Sequence, residues 1–142
     1  MSMLHKIYFA GSITGGRQDA DLYLRLVNHL KKCGTVLTEH VASSTVEADE
    51  EAEGLTDILI HDRDIDWLSQ CDVLVAEVTQ ASTGVGYEIG RAVAMNKTII
   101  CLFRPEPEKR ISPMISGAKG DNFYVYHYTE DQVPEILSRH FS

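Results

Sequence analysis

A chain of 142 residues, 44% hydrophobic and 24% charged, has the size and composition of one compact domain with its own core. Its formal net charge of −8 argues against general attraction to DNA or RNA, which rests on clustered Lys and Arg, although a small anion can still be held by backbone N–H groups. No stretch approaches the roughly 20 apolar residues of a membrane span. Cys33, Cys71 and Cys101, odd in number and without a C-x-x-C, read as buried thiols in a reducing compartment rather than as a disulfide framework or a zinc site. The expected location is the cytoplasm, with nuclear entry open to so small a protein.

The N-terminus runs directly into the first apolar run, Ile7-Tyr8-Phe9-Ala10. Its unbroken apolarity reads as a strand covered on both faces, with Tyr8 pointing away from Ile7 and Phe9. A core tyrosine with a satisfied hydroxyl is the plainer interpretation of Tyr8. The run ends in Gly11-Ser12-Ile13-Thr14-Gly15-Gly16, where glycines and hydroxyls precede a helix over residues 19–33. Such a loop can cradle a phosphate, and equally can be a flexible turn with an N-cap. It matches neither G-x-G-x-x-G nor a P-loop.

Val36-Leu37-Thr38 reads as the second strand, closed by Glu39-His40. Glu39-His40 at this position can line a ligand crevice, though a lone His there is more often structural. Residues 47–54 are acidic and read as a solvated loop. The next helix, residues 55–70, places Asp64 on one face with Ile60 and Leu68, while Asp62 and Asp66 fall on the opposite side. An acid in an apolar stripe is costly unless paired or used, so Asp64 is a functional group, one half of a salt bridge to an Arg, or a cap for a neighbouring loop. His61 and Asp57 share helical spacing but lack a further ligand for a metal site, and no metal is expected.

Val73-Leu74-Val75-Ala76 is the third strand. Glu77 ends it and competes for the role of nucleophile, with the Thr79-Gln80 turn favouring a structural hydrogen-bonding role. Ser82-Thr83-Gly84-Val85-Gly86-Tyr87-Glu88 then leads through a glycine-containing loop into a helix over residues 86–95. Glu88 is expected in or near its first turn, where the helix dipole favours an ionised carboxylate; a surface Glu complementing the dipole is the alternative. Residues 98–103 form the fourth strand, residues 112–117 a short helix, residues 123–126 a weaker fifth strand and residues 130–141 the last helix. This alternation predicts a doubly wound, Rossmann-like or flavodoxin-like five-stranded parallel sheet, order 2-1-3-4-5, with helices on both faces and ligands beyond the carboxyl ends of the strands. Two acids reaching one pocket from different elements is the arrangement used in glycosidic cleavage.

The segments Ile7 to Ile13, Leu37-Thr38-Glu39-His40-Val41, Asp72 to Gln80 and Gly84-Val85-Gly86-Tyr87-Glu88-Ile89-Gly90-Arg91-Ala92 together closely resemble the 2′-deoxynucleoside 5′-phosphate N-hydrolases of the nucleoside 2-deoxyribosyltransferase superfamily. The resemblance spans nearly the whole chain. It implies a retaining mechanism in which Glu88 attacks C1′ and forms a glycosyl-enzyme, with Asp64 as the second acid and Tyr8 positioning the nucleophile. It implies phosphate contacts from Ser12, Gly16, Ser82 and Gly84, and a base and sugar pocket lined by Ile13 and His40. Ser112, in the segment that continues through Met114, would enter the neighbouring subunit's site, which implies a homodimer. No cofactor is implied. Thr14 stands where the family carries Arg, so a charge-assisted phosphate contact is missing there or passes to Arg17. The implied substrates are 2′-deoxynucleoside 5′-monophosphates, 5-hydroxymethyl-dUMP among them. A deoxyribosyltransferase is the alternative enzyme, and a non-catalytic nucleotide-binding module the alternative outside enzymes; the presence of both Glu88 and Asp64 argues against the latter.

Overall fold

The computed structural model describes residues 5–13, 19–43, 45–118 and 120–141. Five parallel strands, β1 (His5–Ala10), β2 (Gly34–Val36), β3 (Val73–Glu77), β4 (Thr98–Phe103) and β5 (Phe123–His127), form one sheet in the order β2-β1-β3-β4-β5. Between and after them come α1 (Ala20–Lys31), α2 (Val46–Ala52), α3 (Asp57–Gln70), α4 (Thr83–Ala94), α5 (Pro113–Ser116) and α6 (Val133–Ser138). The expected doubly wound architecture and strand order are those observed.

The two faces of the sheet carry separate cores. Ile7, Phe9, Val75, Ile100 and Leu102 pack with Leu22, Leu26 and Leu30 of α1 and Ile136 of α6. Tyr8, Leu74, Ala76, Ile99 and Cys101 point the other way, against Leu68 of α3 and Val85, Ile89 and Ala92 of α4. The alternation of side chains along each strand therefore sends Tyr8 to the α3/α4 layer, as its place between Ile7 and Phe9 predicts. On α4 the buried residues recur at intervals of four and three, the pattern of a helix packed along one stripe. Just beyond β1 the chain must pass close to α1: a Cβ on Gly11 would come within 2.7 Å of the Tyr23 ring.

Several element boundaries differ from expectation. β2 lies two residues earlier than its apolar run, pairing His5 with Gly34 and Ile7 with Val36. Thr38 leaves the ladder because its side chain replaces it: the Thr38 hydroxyl accepts from the Phe9 N–H at 2.8 Å and donates to the Phe9 carbonyl at 2.7 Å. A 3-10 turn, Glu39–Ala42, follows. The acidic segment is helical over α2, with Val46 and Glu50, one turn apart, buried beneath it. α4 starts at Thr83 rather than Gly86, because the Ser82 side chain caps it by accepting from the Val85 N–H at 3.2 Å. The C-terminal helix ends at Ser138 after a 3-10 turn, Glu130–Gln132. Cys71 and Cys101 are buried thiols, whereas Cys33 is half-exposed at the end of α1. Among the described residues, no helix is long and apolar enough to cross a membrane.

Candidate active site

The strand order reverses direction at β1 and β3, so the loops after these two strands open the crevice in which doubly wound sheets bind ligands. Ser12, buried, and Ile13, half-buried against the α1 layer, follow β1. Ser82 and Gly84 follow β3, Ser82 as the cap of α4 and Gly84 in its exposed first turn. Gly16, Thr14 and Arg17 lie outside the described residues.

Glu88 is the sixth residue of α4, one and a half turns inside the helix rather than in its first turn. The dipole's influence fades over that distance, and burial takes over. Burial raises the Glu88 carboxyl to about 7, opposed by a hydrogen bond from Tyr8 and reinforced by the charge of Asp64. The Tyr8 hydroxyl donates to Oε2 of Glu88 across the β1–α4 gap. Tyr8 is 2% exposed, and burial, then the charges of Glu88 and Asp64, drive its ionisation far above the usual phenol range. It is thus a permanent hydrogen-bond donor. Asp64, half-buried on α3, also sits above its ordinary value because of burial, while the neighbouring Arg63 guanidinium pulls it down. The structure therefore brings Tyr8, Glu88 and Asp64 into one electrostatic group drawn from β1, α4 and α3.

His40 borders this group. Its Nε2 lies 3.2 Å from Arg63 Nη2, its ring packs on Trp67 at 5.5 Å, and burial and the Arg63 charge hold it below the usual histidine value. Arg63 also reaches Asp64 Oδ1 at 3.0 Å and Glu50 Oε2 at 2.5 Å. Arg63 and Glu50 were not singled out from the sequence. The spacing of Arg63 and Trp67, four apart on one helix, was the available signal for Arg63.

Ser112 and Met114 belong to a different place. Ser112 caps α5, accepting from the Met114 N–H at 3.2 Å, and Met114 is 83% exposed. Both line a cavity of about 1110 Å³ between α4 and α5, together with Ser82, Val85, Val93 and Phe123, and neither Glu88, Asp64, Tyr8 nor His40 reaches it. Glu77 is excluded as a reacting group: fully buried, it accepts from the Thr79 N–H at 2.7 Å, the Thr79 hydroxyl at 3.0 Å and the Tyr128 hydroxyl. His61 is engaged by Asp62 and Tyr87, each at 2.9 Å. Among the described residues, no group of three or more His, Cys, Asp or Glu is arranged to hold a metal ion.

A family model described as nucleoside 2-deoxyribosyltransferase matches residues 7–131. The chain belongs to that family. A 5-hydroxymethyl-dUMP N-hydrolase from Homo sapiens is 54% identical over 95% of this chain and 78% of its own length. One from Danio rerio is 55% identical, covering 95% of this chain and 94% of its own length. A protein named putative 2′-deoxynucleoside 5′-phosphate N-hydrolase 1, from Nematostella vectensis, is 52% identical over 96% and 94% of the two chains. Among solved structures, a Clostridium botulinum CMP N-glycosidase superposes with a TM-score of 0.62 at 19% identity, covering 95% of this chain and 98% of its own. A conserved protein from Enterococcus faecalis gives 0.74, also at 19% identity, over 96% and 99%. These two carry the fold alone. Membership in the nucleoside 2-deoxyribosyltransferase family bears out the resemblance drawn from the sequence.

Proposed function

We propose that this member of the family hydrolyses the N-glycosidic bond of 2′-deoxynucleoside 5′-monophosphates, 5-hydroxymethyl-dUMP among them, releasing the free base and 2-deoxyribose 5-phosphate. N-glycosidic hydrolysis is what the names of its half-identical relatives describe. The observation that carries a chemical role for this site is the Tyr8–Glu88 hydrogen bond with Asp64 acting electrostatically on both partners.

In this reading an oxygen of ionised Glu88 attacks C1′ as the C1′–N bond breaks. The electron pair leaves with the base, which takes up a proton. Tyr8 holds the other carboxylate oxygen and so aims the attacking one. Water then opens the glycosyl ester, its hydroxyl going to C1′, its proton replacing the one the base took up, and Glu88 leaving as a carboxylate. Asp64 manages protons or holds the sugar. Ser12 and Gly16, which follow β1 in the chain, and Ser82 and Gly84, at the start of α4, take the 5′-phosphate, and Ile13 and His40 line the base and sugar pocket.

The functional unit is a homodimer. Ser112 and Met114 lie apart from Glu88 within one chain, on a groove whose rim exposes Val93 and Met114, while Ile58, Leu59 and Tyr87 are exposed on α3 and α4. A second copy seated there covers this apolar surface and receives Ser112 in its own site.

Base release from a panel of deoxynucleoside monophosphates, matched ribonucleotides and dephosphorylated nucleosides, read by chromatography, tests the assignment. Glu88→Ala is expected to stay folded and release no base. Because the family model is described by sugar transfer, each deoxynucleotide is also incubated with a second free base; exchanged nucleotide in preference to deoxyribose phosphate would establish a transferase instead.

A further inference from the structure

Arg63 sits at the centre of four side chains from three elements. Its Nε donates to Asp64 Oδ1 at 3.0 Å, and its Nη2 approaches Glu50 Oε2 at 2.5 Å and His40 Nε2 at 3.2 Å. Its guanidinium carbon lies 4.9 Å from the centroid of the Trp67 ring. Neighbouring residues on a helix point about 100° apart and do not ordinarily meet. The Arg63–Asp64 contact therefore exists because the guanidinium is folded back and held. Glu50 holds it: this carboxylate, 8% exposed on α2, is a buried charge whose cost is offset by pairing with Arg63. Trp67, one turn further along α3, supplies a flat support under the planar cation. A fork bonded on three sides cannot turn without breaking a bond, which a lysine in its place would not reproduce.

We propose that Glu50 and Arg63 are positioning residues for the second acid, by which α2 sets the direction of the Asp64 carboxylate and the tautomer of His40. The proposal rests on the reading of Asp64 as part of the reaction. His40 accepts through Nε2 when it is neutral, which leaves its ring proton on Nδ1.

The charges around Asp64 give the lock a signature. Burial raises the Asp64 carboxyl, Arg63 lowers it by charge and by hydrogen bond, His40 lowers it, and Glu50 raises it. Tyr8 from β1 and Glu88 from α4 are coupled to it by charge as well. Arg63→Gln therefore moves the Asp64 titration upward. Glu50→Gln, which keeps an acceptor for Arg63 but removes the charge, moves it downward. The two neutralisations give opposite signs by charge alone, and a loss of kcat in Arg63→Lys, where the charge is kept, is the readout that a merely structural contact does not move.

The test uses the full chain. The Asp64 carboxyl carbon, assigned by its loss in Asp64→Asn, is titrated by 13C NMR in the parent, Arg63→Gln, Glu50→Gln and Arg63→Lys proteins, and base release from 5-hydroxymethyl-dUMP is followed across pH. The expected result is opposite displacement in the two Gln variants, with kcat lowered about 10–100-fold in Arg63→Gln. Arg63→Lys is expected to keep the Asp64 titration near the parent's while kcat stays reduced, because charge is retained and the fork is not; if Arg63→Gln does not fold, this variant and Glu50→Gln carry the test. Displacement in one common direction, no displacement, or opposite displacement with kcat and its pH profile untouched would overturn the proposal. If the parent releases no base from any deoxynucleotide while the titrations still move oppositely, the lock on Asp64 stands and the hydrolase reading falls.

Discussion

The hydroxyl of Tyr8 on β1 donates to Oε2 of Glu88 on α4, joining elements whose residues are 80 positions apart in the chain. This bond favours the ionised form of a carboxylate that burial and the charge of Asp64 push toward its neutral form. With the carboxyl at about 7, roughly half of it is ionised at neutral pH, and only that half can serve as the nucleophile we propose. The pH profile of kcat/KM is therefore expected to rise through about 7 on its acid side. Tyr8→Phe removes the donor, so the rise moves to higher pH and activity at neutral pH falls by about 10–100-fold, partly regained in alkali. A Tyr8→Phe enzyme with an unmoved acid limb would separate the tyrosine from the carboxylate's ionisation.

The same burial has a cost for the fold. Glu88 ordinarily ionises near 4.5 and does so here at about 7, so the folded state holds this proton more tightly than the unfolded one. Below the unfolded value both states are protonated and stability is complete. As pH rises through that window the unfolded chain ionises first and stability declines, the full penalty being present above about 7. Glu88→Gln, neutral at every pH, is expected to be more stable than the parent by on the order of 1–3 kcal/mol at about pH 8 and no more stable near about pH 4.5, as read by thermal unfolding.

Glu77 offers a contrast with Glu88 from the other face of the sheet, where it bonds to Tyr128 of the α1/α6 layer while Glu88 bonds to Tyr8 of the α3/α4 layer. Its oxygens are occupied by Thr79 and Tyr128, with Arg104 at 3.9 Å. Burial raises it while those hydrogen bonds pull it back. Glu77→Ala is expected to cost about 3–5 kcal/mol in denaturant unfolding, and Tyr128→Phe about 1–3 kcal/mol. Neither substitution should move the acid limb set by Glu88, which the same pH profile checks.

The homodimer proposed above makes a complementation forecast. Ser112→Ala and Glu88→Ala chains are each expected to be impaired alone. Mixing them under exchange yields hybrid dimers in which one site has Glu88 from one chain and Ser112 from the other. About a quarter of the parent activity should return. Absence of recovery despite demonstrated subunit exchange would confine Ser112 to its own chain.

The middle of the sheet was plain from the sequence because β1, β3 and β4 are covered on both faces, and burial on both sides writes an unbroken apolar run. At β2 the register is decided by pairing with β1 and by the Thr38 hydroxyl, neither of which apolarity reports. α2 was hidden by its acids: only Val46 and Glu50 face inward, and Glu50 is tolerated there because Arg63 waits 13 residues on. The two glycines before Glu88 imitated a loop, while the capping side chain of Ser82 had already started the helix. Tyr8, Asp64 and Glu88 were recognisable singly, by place and by resemblance. Their convergence on one another is a product of the strand crossover, which has no local trace in the chain.

The placement of Glu88 along α4 separates two mechanical duties. Ser82, Thr83 and Gly84 form an end of the helix that faces outward, while Val85, Ile89 and Ala92 anchor the following turns in the core. Fraying of that first turn, the motion by which an anion held there would come and go, leaves the carboxylate's own turn seated. In the reaction we propose, departure of the sugar phosphate need not disturb the aim of Glu88.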